Sequence, residues 1–410
     1  MQDNFFFFAF LTYCAVVYLA YLQSGWRQST LGVLSASIWV AHLPPSNGIV
    51  KYVYIFILVL AYFATQRMEK KSLRTGLAYF AYLGTSMLWL LVFVGTGSPE
   101  FDTLYRIVLL APMSIVVGYQ AVKFGAFGAF LVKFKTQGLI FSSLALVEFL
   151  TTRNWVPQRF NEFVYNNSEG RVRVFTEHPL VLAVLLTVAA FIVVTSSQES
   201  RKKFIYVSLL FLASLTTQAI SAPLLIVLFF IWEKVSKKLN ISLQANFKLA
   251  RIAVSTTFFA LLAFSSTLDP FSGLLVTPGD VASTLYRYVI YGLMWVILAD
   301  YPLGLGPLGL PDGVYTIPSI YGDLNAASLD SEIVYSVSQF GYLGLIFYVL
   351  LIGSLYLIRS STQARSMMLT LLFVSLFASI HSWVSLSIIF FMTLGGAVIG
   401  RDTRDFDRER

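Results

Sequence analysis

The chain has 410 residues, 57% of them apolar or aromatic and only 12% charged, about half the roughly 25% charge of a soluble domain. With a mean hydropathy of +0.73 it has too little polar material to cover a soluble surface. That excludes the soluble-enzyme classes and reads as an all-α polytopic membrane protein. A formal net charge of +8 would suggest nucleic acid in a soluble chain, but here the charges sort by membrane side and no nucleic-acid-binding element is visible.

In chain order, Met1 to Asn4 followed by Phe5 to Phe8 lacks a basic n-region and a small-residue cleavage site, so an uncleaved first span is expected. Apolar segments run over 5–22, 31–44, 50–65, 76–96, 105–120, 136–150, 179–196, 203–216, 219–235, 249–267, 333–357, 366–380 and 384–399. Several fall short of the ~20 residues that cross a bilayer upright. The weakest, 31–44, ends at Pro44-Pro45 and is either a span or a re-entrant or interfacial piece, so about 12–13 transmembrane helices are expected. Segments 203–216 and 219–235 share a short polar joint, Thr216-Thr217-Gln218. They read as a hairpin, because one helix covering both would be about 50 Å long. No long polar block separates the segments, so residues 1–410 form a single integral membrane domain. The lone Cys14 excludes a disulfide framework and Cys-based zinc or iron–sulfur sites. His42, His178 and His381 are too scattered to suggest a metal, so neither a metal nor a cofactor is expected.

Lys and Arg set the topology. Basic clusters lie at 66–75, 121–136, 197–203, 234–251, 358–366 and in the tail, separated by even numbers of spans, as the positive-inside rule requires if all face the cytoplasm. The opposite face then carries 97–104, 151–178, 268–332 and 381–384. The 65-residue stretch 268–332 holds seven acids, no Lys and one Arg and is too long for a plain connector. Its middle, Leu285 to Leu298, is expected as a short helix lying against the membrane. Every outer-face basic residue is Arg: Arg106, Arg153, Arg159, Arg171, Arg173 and Arg287. Such arginines pair with neighbouring acids or headgroups, or they grip phosphate in the planar, bidentate way that Lys does not.

Asp330-Ser331-Glu332 stands where the span from Ile333 begins. Asp330 or Ser331 would cap that helix, with Glu332 favoured in its first turn, and a carboxylate there could also serve as a general base toward a sugar hydroxyl. Glu177-His178-Pro179 closes the loop of Arg171 and Arg173, making His178 an acid/base candidate or an interfacial His bonded to backbone. Gly304, Gly306, Gly309 and Gly313 are not a phosphate loop, since no Gly-Lys-Ser/Thr follows; a tight backbone turn is expected. Glu148, near the outer end of a span, is expected in a structural or cavity-facing role.

These pieces together resemble the bacterial O-antigen polymerase/ligase superfamily of lipid-linked glycan glycosyltransferases. The matching residues are Arg171-Val172-Arg173-Val174-Phe175-Thr176-Glu177-His178-Pro179, the joint Thr216-Thr217-Gln218-Ala219-Ile220-Ser221, Tyr286-Arg287 with Met294-Trp295, and Pro302-Leu303-Gly304-Leu305-Gly306. Asp330-Ser331-Glu332 follows, with Gln339-Phe340-Gly341-Tyr342-Leu343-Gly344 two to three turns on. The likeness covers about residues 170–360. It implies a GT-C type fold in the bacterial inner membrane, with an active site on the periplasmic face built from the loops 151–178 and 268–332. It further implies metal-independent, inverting transfer between undecaprenyl-diphosphate-linked donor and acceptor glycans. The diphosphate role falls to Arg171, Arg173 and Arg287, the base role to Asp330 or Glu332, and a chain-length regulator is a candidate partner beside membrane lipids. Two departures stand out. The joint 218–221 lacks the Arg often found there, and ligases that act on lipid A core present a His where this chain has Asp330-Ser331-Glu332. The second favours the polymerase branch over a ligase. A lipid-linked oligosaccharide flippase, the remaining rival, would show repeat symmetry and ionisable residues along a midplane path, and no internal repeat is visible.

Overall fold

The computed structural model describes residues 2–41, 52–65, 105–151, 172, 174–176, 178–196, 199–219, 221–270, 281–305, 315–317, 324–325, 331–357, 363–378 and 383–397. Among these residues there are fourteen α-helices and one pair of two-residue antiparallel strands, β1 (Thr316–Ile317) and β2 (Leu324–Asn325). The helices are α1 (Gln2–Ala20), α2 (Trp26–Trp39), α3 (Tyr52–Thr65), α4 (Ala111–Lys123, preceded by a π-helical stretch Tyr105–Leu110) and α5 (Phe127–Thr151). They continue with α6 (Pro179–Thr195), α7 (Ser200–Thr216), α8 (Ser221–Lys238), α9 (Leu243–Ser265) and α10 (Val281–Asp300). The last are α11 (Glu332–Phe340), α12 (Tyr342–Leu357), α13 (Gln363–Ser375) and α14 (Val384–Ala397).

Three helical stretches among the described residues are long and apolar enough to cross a membrane: Tyr105–Lys123, Phe127–Thr151 and Ala245–Ser265. Shorter apolar helices accompany them, α6 and α14 among these. Large apolar side chains are exposed along α8 (Leu224, Leu228, Ile231), α9 (Phe259) and α12 (Leu343, Ile346, Leu350). Exposed apolar bands of this kind mark contact with something other than water, and they are compatible with a surrounding bilayer.

At the centre lies α6. Its sequence is apolar on every side, and Val181 to Ala190 are all buried, as a helix with no polar face must be. Helices α5, α7, α8, α13 and α14 enclose it. Gly138 of α5 lets this packing close, since a Cβ there would press on Ala189 of α6 and on the ring of Trp39. Trp39 in turn packs against Phe134 and Phe141, with ring centroids 5.1 and 5.3 Å away.

The weak second segment is a bundle helix. α2 packs on α1, α3 and α5, with Ser29, Thr30, Ser35 and Ser37 buried. Low hydropathy is tolerated where the hydroxyls bond their own helix: Thr30 donates to Trp26 O at 2.9 Å and Ser37 to Leu34 O at 2.9 Å, while Ser35 finds no partner among the described residues. Two other expectations are corrected. The apolar run 333–357 is broken into α11 and α12 at Gly341, whose φ of +58° suits glycine. The helix expected over Leu285 to Leu298 is longer. It is buried through Val289, Ile290, Leu293, Met294 and Ile297 between α9 and α11 rather than lying on a surface.

The hairpin expectation holds, with α7 and α8 packed side by side and Gln218 in the left-handed region (φ 56°) at the joint. The α8–α9 turn is equally local. Asn240 adopts φ 51°, Ile241 N reaches back to Ser236 O at 2.8 Å, and the hydroxyl of Ser242 caps α9 by accepting from Ala245 N at 3.1 Å.

One end of the bundle is basic. There Lys203, 3% exposed, donates to the terminal carbonyls of α6 at Val194 and Ser196 (both 2.8 Å) and pairs with Glu233 at 3.0 Å. Lys237 pairs with the same carboxylate at 2.5 Å. Arg365 likewise donates to Ala397 O at the end of α14, at 2.9 Å. Cations at carbonyl termini satisfy the orphan acceptors and the helix dipole together. Lys133 donates to Gln28 at 2.5 Å and stands 4.6 Å over the ring of Tyr21, which brings the α1–α2 joint to the basic start of α5.

The tightest helix crossing joins α4 to α14. A Cβ on Gly118 would strike the Met392 carbonyl, and one on Gly395 the Ile115 carbonyl. Small residues let two backbones approach this closely where lipid offers no hydrophobic drive. Gly118→Ala is therefore expected to lose about 1–3 kcal/mol of stability. Gly353→Ala, in open space on α12, should be neutral or gain up to about 1 kcal/mol. Thermal unfolding in detergent checks the contrast, and equal midpoints for the two variants would contradict it.

Candidate functional site

The end opposite the basic one gathers most of the segments singled out in the sequence. The first group is the loop before α6. Val172 and Val174 are buried. Val172 N donates to Thr216 O at 3.1 Å, which fixes the loop to the end of α7 at the hairpin joint. Val174 has φ 52°, a left-handed conformation that is costly for a β-branched residue, so surrounding packing must hold it. Arg171, Arg173 and Glu177 lie outside the described residues.

His178 forms the N-cap of α6. Its backbone is extended, its Nδ1 accepts from Leu180 N at 3.0 Å, and its carbonyl takes Leu182 N at 3.1 Å. Pro179 follows at the first helical position, where a missing N–H costs nothing. A ring whose Nδ1 accepts carries its proton on Nε2. The imidazole, 8% exposed, stacks on Trp383 just before α14 (centroids 5.1 Å apart, planes at 21°). The bonded-to-backbone reading of His178 is the one the geometry matches.

The second group is the meeting of α10 and α11. Ser331 occupies the N-cap position of α11, yet its hydroxyl makes no cap bond and donates instead to Tyr291 OH at 3.0 Å. Tyr291 OH donates to Leu376 O, at the end of α13, at 2.7 Å. Glu332 is fully buried in the first turn of α11, where the helix dipole favours its charge. Ser336 Oγ lies 3.4 Å from its Oε1, and Tyr348 of α12 is fully buried. Asp330 lies outside the described residues. Arg287 is placed only as a backbone position on α10, one turn before Tyr291.

Backbone contacts lock this region to the loop after α10. Leu305 N donates to Ser338 O at 2.8 Å and Tyr342 N to Pro302 O at 2.9 Å. Gly304 (φ 81°) and Gly341 (φ 58°) sit against each other's chain, and a Cβ on either would meet opposing backbone. Of the glycines expected to form a tight turn, Gly304 turns against the chain itself; Gly306, Gly309 and Gly313 lie outside the described residues. Farther along, Tyr315 OH donates to Asp300 Oδ2 at 2.6 Å. Burial, and that bond to a carboxylate, push the Tyr315 hydroxyl well above its ordinary range.

The end of α13 joins the two groups. Leu376 receives the Tyr291 hydroxyl. Phe377 and Ala378 line an apolar crevice with Leu180 of α6 and Ser221 and Ala222 of α8. Sequence reasoning missed Tyr291, Tyr348 and Trp383, because a buried tyrosine or tryptophan in an aromatic-rich chain looks like packing. The usable signal for Tyr291 was its i+4 spacing from Arg287. Glu148 is buried (3% exposed) near the end of α5, in keeping with its expected structural or cavity-facing role. No family model, curated protein or solved structure matches this chain.

Replacement of His178 separates cap from packing. His178→Ala is expected to lose about 0.5–2 kcal/mol, and His178→Asn less, because the amide oxygen can accept the same bond. Unfolding midpoints in detergent give the order, and a variant ranking of Ala above Asn would contradict the cap.

Proposed function

We propose that the chain is a metal-independent, inverting glycosyltransferase of the bacterial inner membrane. It polymerises undecaprenyl-diphosphate-linked repeat units on the periplasmic face into O-antigen or exopolysaccharide. The observation that carries this reading is the convergence at one bundle end of the loop around Val172 and His178, the hairpin joint, and the α10–α11 junction. These are the segments through which the sequence resembles lipid-linked glycan polymerases, and they lie far apart in the chain.

In this reading the basic end is cytoplasmic. The crossings among the described residues are then α1 to α9, the α11–α12 pair, α13 and α14. Arg171, Arg173 and Arg287 hold the donor diphosphate and neutralise the charge that grows on it as the glycosidic bond breaks. A carboxylate takes the proton from the acceptor hydroxyl as that oxygen attacks the anomeric carbon. Glu332 is buried with the Ser336 hydroxyl against its carboxylate, so the base role goes to Asp330, and Glu332 shapes the start of α11. Arginine at positions 171, 173 and 287 suits a planar, bidentate grip.

Arg287→Ala is expected to abolish polymer while the protein still inserts and purifies as the wild type does. Arg287→Lys should also be poor, because a point charge does not replace the fork, and Asp330→Asn should be inactive. Polymer of normal length from Arg287→Ala would overturn the assignment.

A further inference from the structure

We propose that Tyr291 is a positioning residue whose hydroxyl ties the helix of Arg287 to the start of the helix of Glu332; its turnover readout rests on the glycosyltransferase reading above. The direction of the hydrogen-bond chain is fixed by chemistry. Leu376 O can only accept, so the Tyr291 proton is committed to it at 2.7 Å. The tyrosine oxygen is then left to accept from Ser331 Oγ at 3.0 Å. Ser331 thereby spends its proton on Tyr291 and keeps its own lone pairs for a donor elsewhere.

An ordinary N-cap serine gives its oxygen to a first-turn amide, and Ser331 does not. One hydroxyl thus joins three segments: α10 through Tyr291, the start of α11 through Ser331, and the end of α13 through Leu376. Tyr291 is 2% exposed and Ser331 fully buried, so no water competes for these bonds, and in such surroundings a broken link is expensive. Position 287 is one turn before Tyr291, on the same side of α10. The angle between α10 and α11 therefore bears on how far that arginine position stands from Glu332, and the Tyr291 bonds hold the middle of α10 to the start of α11.

Tyr291→Phe keeps the ring and deletes the hydroxyl; Ser331→Ala breaks the same link from the other side and leaves the bond to Leu376 in place. In proteoliposomes supplied with lipid-linked repeat units, each is expected to lower kcat about 10- to 100-fold. KM should move less than about twofold, and the double variant should be no worse than the poorer single one. Amide exchange at residues 332–335 should rise in both without product being required. Should Tyr291→Phe fail to accumulate, Ser331→Ala carries both readouts. Wild-type kcat together with unchanged exchange at 332–335 would overturn the inference and leave the polymerase reading standing. Absence of any glycan product from the wild type would remove that reading, and unchanged exchange would still overturn the tie on its own.

Discussion

The structure depends on enclosing one helix. Pro179–Thr195 has no face that water would welcome, so five helices must surround it, and the backbone groups at its two ends must find partners within the protein. Both ends are met by titratable side chains. His178 takes an amide at the start, and Lys203 takes the last carbonyls while Glu233 balances its charge. These two caps identify the ends of the bundle. The lysine end is a knot of charge around carbonyl termini, and the histidine end is where long connections meet.

The site follows from that division. At the basic end the connection between α8 and α9 is short and closed by its own bonds. At the opposite end, the chain before α6 is held to the hairpin joint by the backbone bond from Val172 to Thr216, and α10 is brought down onto α11 and α13. Glycine makes the second arrangement possible. Gly304 and Gly341 let the segment after α10 and the α11–α12 break approach backbone to backbone, and the break exists because Gly341 adopts a conformation that other residues resist. A carboxylate is thereby buried at a helix N-terminus, with the Ser336 hydroxyl 3.4 Å from it.

Legibility in the sequence tracked how local the cause was. The α7–α8 hairpin could be read because Thr216-Thr217-Gln218 interrupts two apolar runs whose joint length no bilayer accommodates. The backbone-bonded His178 could be read because the next residue is proline and a span follows. Whether 31–44 is a span or a re-entrant piece stayed open because its serines lower hydropathy, and only the folded helix reveals that Ser37 bonds one of its own carbonyls. The division of 333–357 was hidden for a related reason. A glycine inside an apolar run announces nothing until another chain segment lies against it. Tyr291 was the least legible, since its partners, Ser331 and Leu376, are 40 and 85 residues away and its composition class is packing.

The most direct test is reconstitution of the purified protein in liposomes with lipid-linked repeat units, read as products on a gel. The account predicts a ladder of polymer lengths. Single-step transfer to added lipid A core would contradict it in favour of a ligase, and movement of the lipid-linked unit between leaflets without any new glycosidic bond would contradict it in favour of a flippase.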